Sequence, residues 1–167
     1  MTRRRARRGI TMLEMLIVLA LIGLMSGIAW PAATAALDGI RLRAAADSVA
    51  SMLAQAALRV ERRQQPVEIV IDREKGLLAV VGVAGGDRHE LKLDAGISIA
   101  NVEPALNVDA QNGEEQPDER RFVLMPGAGW PALRVELANS RQVRRIVKLD
   151  PITGAPDVRA PEAGDRP

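Results

Sequence analysis

Apolar and polar positions follow three successive rhythms along this chain. From residue 10 to residue 30 nearly every position is apolar, interrupted by Thr11, Glu14, Ser26 and two glycines. At 1.5 Å per residue, a helix over this run spans roughly 30 Å, the thickness of a bilayer's hydrocarbon core. From residue 32 to residue 65 the period becomes helical and one-sided. Leu42, Ala45, Val49, Met52, Leu53, Ala56 and Val60 recur at three and four residues, while Arg43, Asp47, Ser51, Gln55, Arg59 and Arg62 fall largely on other faces. That is an amphipathic helix, and it is expected to end at Gln65, because Pro66 disfavours helical geometry in the residue before it.

After Pro66 the period drops to two. Val67, Ile69 and Ile71 alternate with Glu68, Val70 and Asp72, and Asp72-Arg73-Glu74-Lys75-Gly76 supplies a turn before an apolar run at 77–83, which predicts a hairpin. Gly85-Gly86-Asp87 breaks the chain before a strand at 89–93, where His89, Leu91 and Leu93 share a face. Asp94-Ala95-Gly96 turns into a further strand at 97–102. Residues 103–119 are polar and rich in carboxylates, and read as a flexible loop. Strands follow at 121–125, 132–137 and 142–149, the last two forming an antiparallel pair around Asn139-Ser140. Asp150-Pro151-Ile152-Thr153-Gly154 is a turn, the proline-rich end is expected to fray from Ala155, and 160–167 to be a disordered tail.

Composition narrows the chemistry. With two tryptophans, one phenylalanine and no tyrosine the core must be aliphatic, and stacking platforms for single-stranded nucleic acid are poorly supplied. Five of the 23 basic residues (Arg3, Arg4, Arg5, Arg7 and Arg8) precede Gly9, leaving 18 against 21 acidic ones, so overall basicity does not point to a polyanion partner. The absence of cysteine excludes disulfides. His89 is the sole histidine, and no catalytic set or phosphate-binding loop assembles, so the reading is of a non-enzyme without cofactor or metal. Asp109, Glu114, Glu115, Asp118 and Glu119 match no calcium-loop spacing.

The N-terminal 30 residues carry the sharpest signal. The arginine cluster belongs on the cytoplasmic side of a membrane, which places everything after Pro31 across it. Glu14 lies inside the apolar run, where insertion scales charge about 2.5 to 3.5 kcal/mol for an acid at the bilayer centre, so it calls for a partner. An ordinary secretory signal, with Ala33, Thr34 and Ala35 as a small-residue cleavage site, and a plain membrane anchor are alternatives. Neither gives Glu14 a purpose. The run Gly9-Ile10-Thr11-Met12-Leu13-Glu14-Met15-Leu16-Ile17-Val18 resembles the class III leader of type IV pilins and type II secretion pseudopilins.

That resemblance implies a basic leader at 1–9, cleavage between Gly9 and Ile10 by a prepilin peptidase, N-methylation of Ile10, and a transmembrane assembly helix at 10–31. Pro31 stands where these families commonly kink the helix. Cleavage would expose an ammonium group that Glu14 of a neighbouring subunit can meet when helices stack with axial stagger. The implied fold is α+β and pilin-like: the long helix, its amphipathic half at 32–65, packed on a periplasmic antiparallel β-sheet domain at 66–159. Residues 53–70, Phe122 to Pro126, and Leu149-Asp150-Pro151-Ile152-Thr153-Gly154 are similar to the minor pseudopilin H and FimT group, from which Trp130 in the turn at 126–131 departs. The expected function is a minor pseudopilin at the tip of a type II secretion pseudopilus. Its expected partners are other minor pseudopilins, the major pseudopilin, the peptidase and the inner membrane, which it would cross once. The alternatives are a FimT-like minor type IV pilin in pilus initiation or DNA uptake, with Arg141, Arg144, Arg145 and Lys148 as its basic patch, and an exported periplasmic binding protein.

Overall fold

The computed structural model describes residues 11–83, 88–104 and 118–162, apart from the side chains of Ile28, Pro31 and Ala32. The chain divides into two units, Met1–Leu37 and Asp38–Pro167. One α-helix, α1 (Met12–Arg63), contributes to both.

In the first unit the described apolar side chains of α1 are exposed on every side as far as Trp30 (76%), among them Met12 (85%), Leu13, Leu16, Leu19 and Leu24. A helix that is apolar all round has no stable place in water. Helical backbone runs through Pro31 without interruption.

In the second unit α1 buries one stripe, Leu42, Ala46, Val49, Leu53, Ala56 and Val60, at helical spacing. The sequence pattern placed Ala45 and Met52 in that stripe, but both lie on its flank, half-buried, and Ala46 takes the centre. The helix stops at Arg63, two residues before the expected Gln65. Gln64 takes a left-handed conformation (φ 51°), its N–H donates to the Val60 carbonyl at 3.0 Å, and its side-chain amide donates to the Glu61 carbonyl at 2.7 Å, so the last turn is closed before Pro66 acts.

Eight strands follow: β1 (Val67–Asp72), β2 (Leu77–Gly82), β3 (Arg88–Lys92), β4 (Ile97–Glu103), β5 (Glu119–Leu124), β6 (Arg134–Asn139), β7 (Arg144–Leu149) and β8 (Pro156–Arg159). They form two four-stranded antiparallel sheets, ordered β3-β2-β1-β5 and β4-β6-β7-β8. The β1–β2 hairpin is in the predicted place, with Asp72 opposite Leu77, and the β6–β7 pair is antiparallel as read. The segment expected to fray after Ala155 instead supplies β8, which pairs with β7 from Leu149 opposite Pro156 to Ile146 opposite Arg159. Pro156 begins a strand on the sheet's edge, where a missing N–H is tolerated. Most of the loop expected at 103–119, the break at 84–87 and the end of the tail lie outside the described residues.

One aliphatic core joins the α1 stripe to Val67, Ile69 and Ile71 of β1, Leu78 and Val80 of β2, Ile99 and Val102 of β4, Phe122 and Leu124 of β5, and residues of β6 and β7. Two arginines tie the sheets together at β4. Arg120 on β5, 1% exposed, donates from Nη1 to the carbonyls of Val102 (2.8 Å) and Pro104 (2.9 Å), and Arg73 Nη2 donates to the Ala100 carbonyl at 3.0 Å. Burial, and then the neighbouring Arg73 charge, hold the Arg120 guanidinium below its ordinary pKa.

Polar side chains close the turns. Asp72, almost fully buried, accepts from the Lys75 N–H at 2.9 Å and the Lys75 ammonium at 2.6 Å. Asn139, also buried, accepts from the N–H groups of Arg141 (3.0 Å) and Val143 (2.9 Å) and so fixes the β6–β7 turn. Trp130 explains its own departure from the usual glycine-rich turn: its indole lies on Gly154, and its main-chain N–H donates to the Pro151 carbonyl at 3.3 Å. A β-carbon on Gly154 would stand 2.5 Å from Trp130 Cε2, and Gly154 has a φ of 67°.

Gly154→Ala therefore combines backbone strain of about 1–3 kcal/mol with displacement of the indole. It should lower the thermal unfolding midpoint of the detergent-solubilised chain, with tryptophan fluorescence reporting a more solvated ring. The Lys75 ammonium and then the Lys75 amide hold the Asp72 carboxyl below its usual pKa. The stability this brings is present above the unfolded value of about 3.9 and is lost as pH falls through the lower folded value. Asp72→Asn should weaken the fold at pH 7 and flatten the decline in urea stability below about pH 4.

Candidate functional site at the start of the helix

Of the residues singled out at the N-terminus, Gly9 and Ile10 lie outside the described residues, while Glu14 lies in the first turn of α1 and is exposed. Thr11 immediately precedes the helix. Its Oγ1 accepts a hydrogen bond from the main-chain N–H of Glu14 at 3.2 Å, and its carbonyl accepts from Met15 N–H at 3.2 Å. This is the threonine half of a capping arrangement, with an acid at the third helical position. The Thr-x-x-Glu spacing signals it in the sequence, and a reading of Glu14 by charge alone passes over it.

Glu14 thus has a local function as well as whatever it does between molecules. A carboxylate in a helix's first turn faces the positive end of the helix dipole, a contribution of about 0.3–1 kcal/mol at exposed sites. The apolar run described from Met12 to Gly27 reaches about 24 Å at helical rise. Among the described residues, no helix is long and apolar enough to cross a membrane.

The basic patch proposed for the β6–β7 end is partly neutralised by its own surroundings. Arg141 Nε lies 3.1 Å from Asp38 Oδ2, and Arg144 Nη1 lies 3.1 Å from Glu136 Oε1 on the neighbouring strand. Arg145 is half-buried, and Lys148 is exposed. His89 sits exposed in β3, with no catalytic group assembled around it among the described residues. Also among the described residues, no group of three or more histidine, aspartate or glutamate side chains could hold a metal. Of the acidic positions considered for calcium, Asp118 and Glu119 are described, and Glu119 pairs with Arg121 at 2.6 Å.

Residues 4–30 match the prokaryotic N-terminal methylation motif. Over 84 residues, half of this chain, the sequence is 36% identical to type II secretion system protein H of Xanthomonas campestris pv. campestris. The chain spans about half the length of that relative. No solved structure matches it significantly.

Replacing Thr11 by alanine should cost the helix start about 1 kcal/mol and speed hydrogen exchange at the Glu14 amide in nanodiscs, while Thr11→Ser should retain protection. The chain thus joins an α+β, pilin-like fold to an N-terminal methylation motif and to a likeness, over half of its length, to a type II secretion system protein H.

Proposed function

We propose that the chain is a minor pseudopilin of a type II secretion system, made as a membrane-inserted precursor and processed between Gly9 and Ile10 by a prepilin peptidase, with Ile10 then N-methylated. The segment 10–31 is the single inner-membrane span and assembly helix, Pro31 its kink, and the strand-rich domain stands in the periplasm near the pseudopilus tip. It acts as a structural subunit and catalyses no reaction. Its partners are the other minor pseudopilins and the major one.

The observation that carries this reading is an acid in the first turn of a helix whose described apolar side chains, as far as Trp30, are exposed on all sides. A carboxylate in poorly solvated surroundings favours any neighbour that brings a positive group, and a newly cut N-terminus supplies one at about the right depth. Burial of the apolar faces between adjoining helices adds packing. A pilus role with DNA as ligand is less well supported, because Arg141 and Arg144 are engaged by Asp38 and Glu136.

Mass spectrometry of the native mature protein should find Ile10, carrying one methyl group, as the first residue. A different N-terminus overturns the proposal. Glu14→Ala should leave insertion and processing unchanged and reduce incorporation into fibres several-fold, measured by cysteine crosslinking between neighbouring subunits. Normal incorporation would remove Glu14 from the assembly contact.

A further inference from the structure

Within the second unit, a groove runs between the C-terminal part of α1 and β3, the outermost strand of its sheet. Its floor and walls at one end are Met52, Ala56, Leu58 and Val80, with Arg59, Arg62 and Arg63 along the rim and His89 between the two elements. Towards the other end it is lined by Asp47, Ser48, Ser51 and Leu91. Three features of this groove remain unused by the fold.

First, among the described residues no strand pairs with the outer edge of β3, so the strand that lines the groove has an open edge. Secondly, Leu58 is 48% exposed there, an apolar side chain on the helix with no apolar cover. Thirdly, Arg62 and Arg63 are exposed and, among the described residues, held in no ion pair. Both suit the negative end of the α1 dipole, but that interaction needs neither a groove nor a strand edge beside it.

The geometry points to this groove as a docking site for an extended peptide segment of another protein, adding as a fifth strand beside β3, with apolar side chains on Leu58 and acidic ones at Arg62 and Arg63. An open strand edge supplies main-chain hydrogen bonds, and alternate side chains of the added strand then read the groove. The five residues of β3 offer about 17 Å of edge. Charge complementarity selects the occupant. The cationic end attracts carboxylates, whereas Asp47 at the opposite end repels a uniformly charged polyanion. Arg88, Glu90 and Lys92 stud the strand, as charges commonly do on edges that must not pair indiscriminately. The inference uses only this groove and does not depend on the pseudopilin reading.

The test uses the full chain in phosphatidylcholine nanodiscs and a fluorescein-labelled, end-blocked peptide of seven alternating valine and glutamate residues, followed by fluorescence anisotropy. Saturable binding is expected, weakened at least tenfold by Arg62→Glu together with Arg63→Glu. N-methylation of alternate peptide amides, which removes strand pairing but keeps charge, should weaken it to a similar degree. Leu58→Asp gives an independent loss should the double variant fold poorly by circular dichroism. The proposal is overturned by absence of saturable binding, by undiminished binding of the N-methylated peptide, or by unchanged affinity in the folded variants. Displacement by a single-stranded DNA oligomer of equal charge at equal concentration would overturn it as well.

Discussion

The buried stripe on α1 is the constraint on which the second unit depends. Leu42, Ala46, Val49, Leu53, Ala56 and Val60 enter one core with residues of six strands drawn from both sheets. Each large aliphatic side chain withdrawn from water there contributes about 1.5–3 kcal/mol before chain entropy is counted. With almost no aromatic residues to fill space, the core relies on branched aliphatics meeting at close spacing, and alanine at positions 46 and 56 lets the helix approach the strands. A bulkier residue at Ala46 would separate helix from sheets and be felt across the whole core.

The second constraint is polar. β4 pairs with β6 along one edge, and Arg120 and Arg73 reach carbonyls of Ala100, Val102 and Pro104. Charged donors satisfy acceptors that would otherwise be buried without partners, an omission that costs about 1–3 kcal/mol per group. The arrangement keeps a guanidinium in a poorly solvated place beside a second positive charge, and its lowered pKa records that tension. Aliphatic packing draws the two sheets to one helix, while these directional bonds fix where β4 lies relative to β5. Glu136 and Arg144 repeat the device on β6 and β7, a nearly buried carboxylate held by a guanidinium from the next strand.

Much of this was legible because local patterns dominate local structure. The change of hydrophobic period from 3.6 to 2 at Pro66 marks the end of the helix to within two residues, and turn residues locate both the β1–β2 and β6–β7 hairpins. What the pattern cannot supply is pairing between distant segments. Nothing in Val67–Asp72 announces that Glu119–Leu124 will lie beside it, and nothing in Ile97–Glu103 announces β6, so the division of the strands into two sheets is not legible from it. The edge strand β8 is not evident from the pattern because Pro156 and its short length argue for a loop, although an edge position tolerates both. Arg120 was equally hidden, since an arginine in an alternating strand is ordinarily exposed. At the helix start the acid was legible and its local hydrogen-bonding environment was not, because charge drew the reading past the Thr11 hydroxyl.

That environment bears on how Glu14 is to be understood. The Thr11 hydroxyl bonds the main-chain N–H of Glu14, not its carboxylate, so the cap and the charge are chemically separate. Loss of the carboxylate removes its interaction with the helix dipole, worth under about 1 kcal/mol where exposed, and leaves the capping bond in place. Local helix stability alone is therefore a weak reason to place an acid amid apolar side chains. The insertion penalty of about 2.5–3.5 kcal/mol at a bilayer centre exceeds the dipole's return, and near an interface the margin narrows. A residue whose local benefit is smaller than its cost must recover the difference outside its own helix. An external cation at the same depth is the chemistry that would do so, and the amino terminus of a second subunit is the one proposed above.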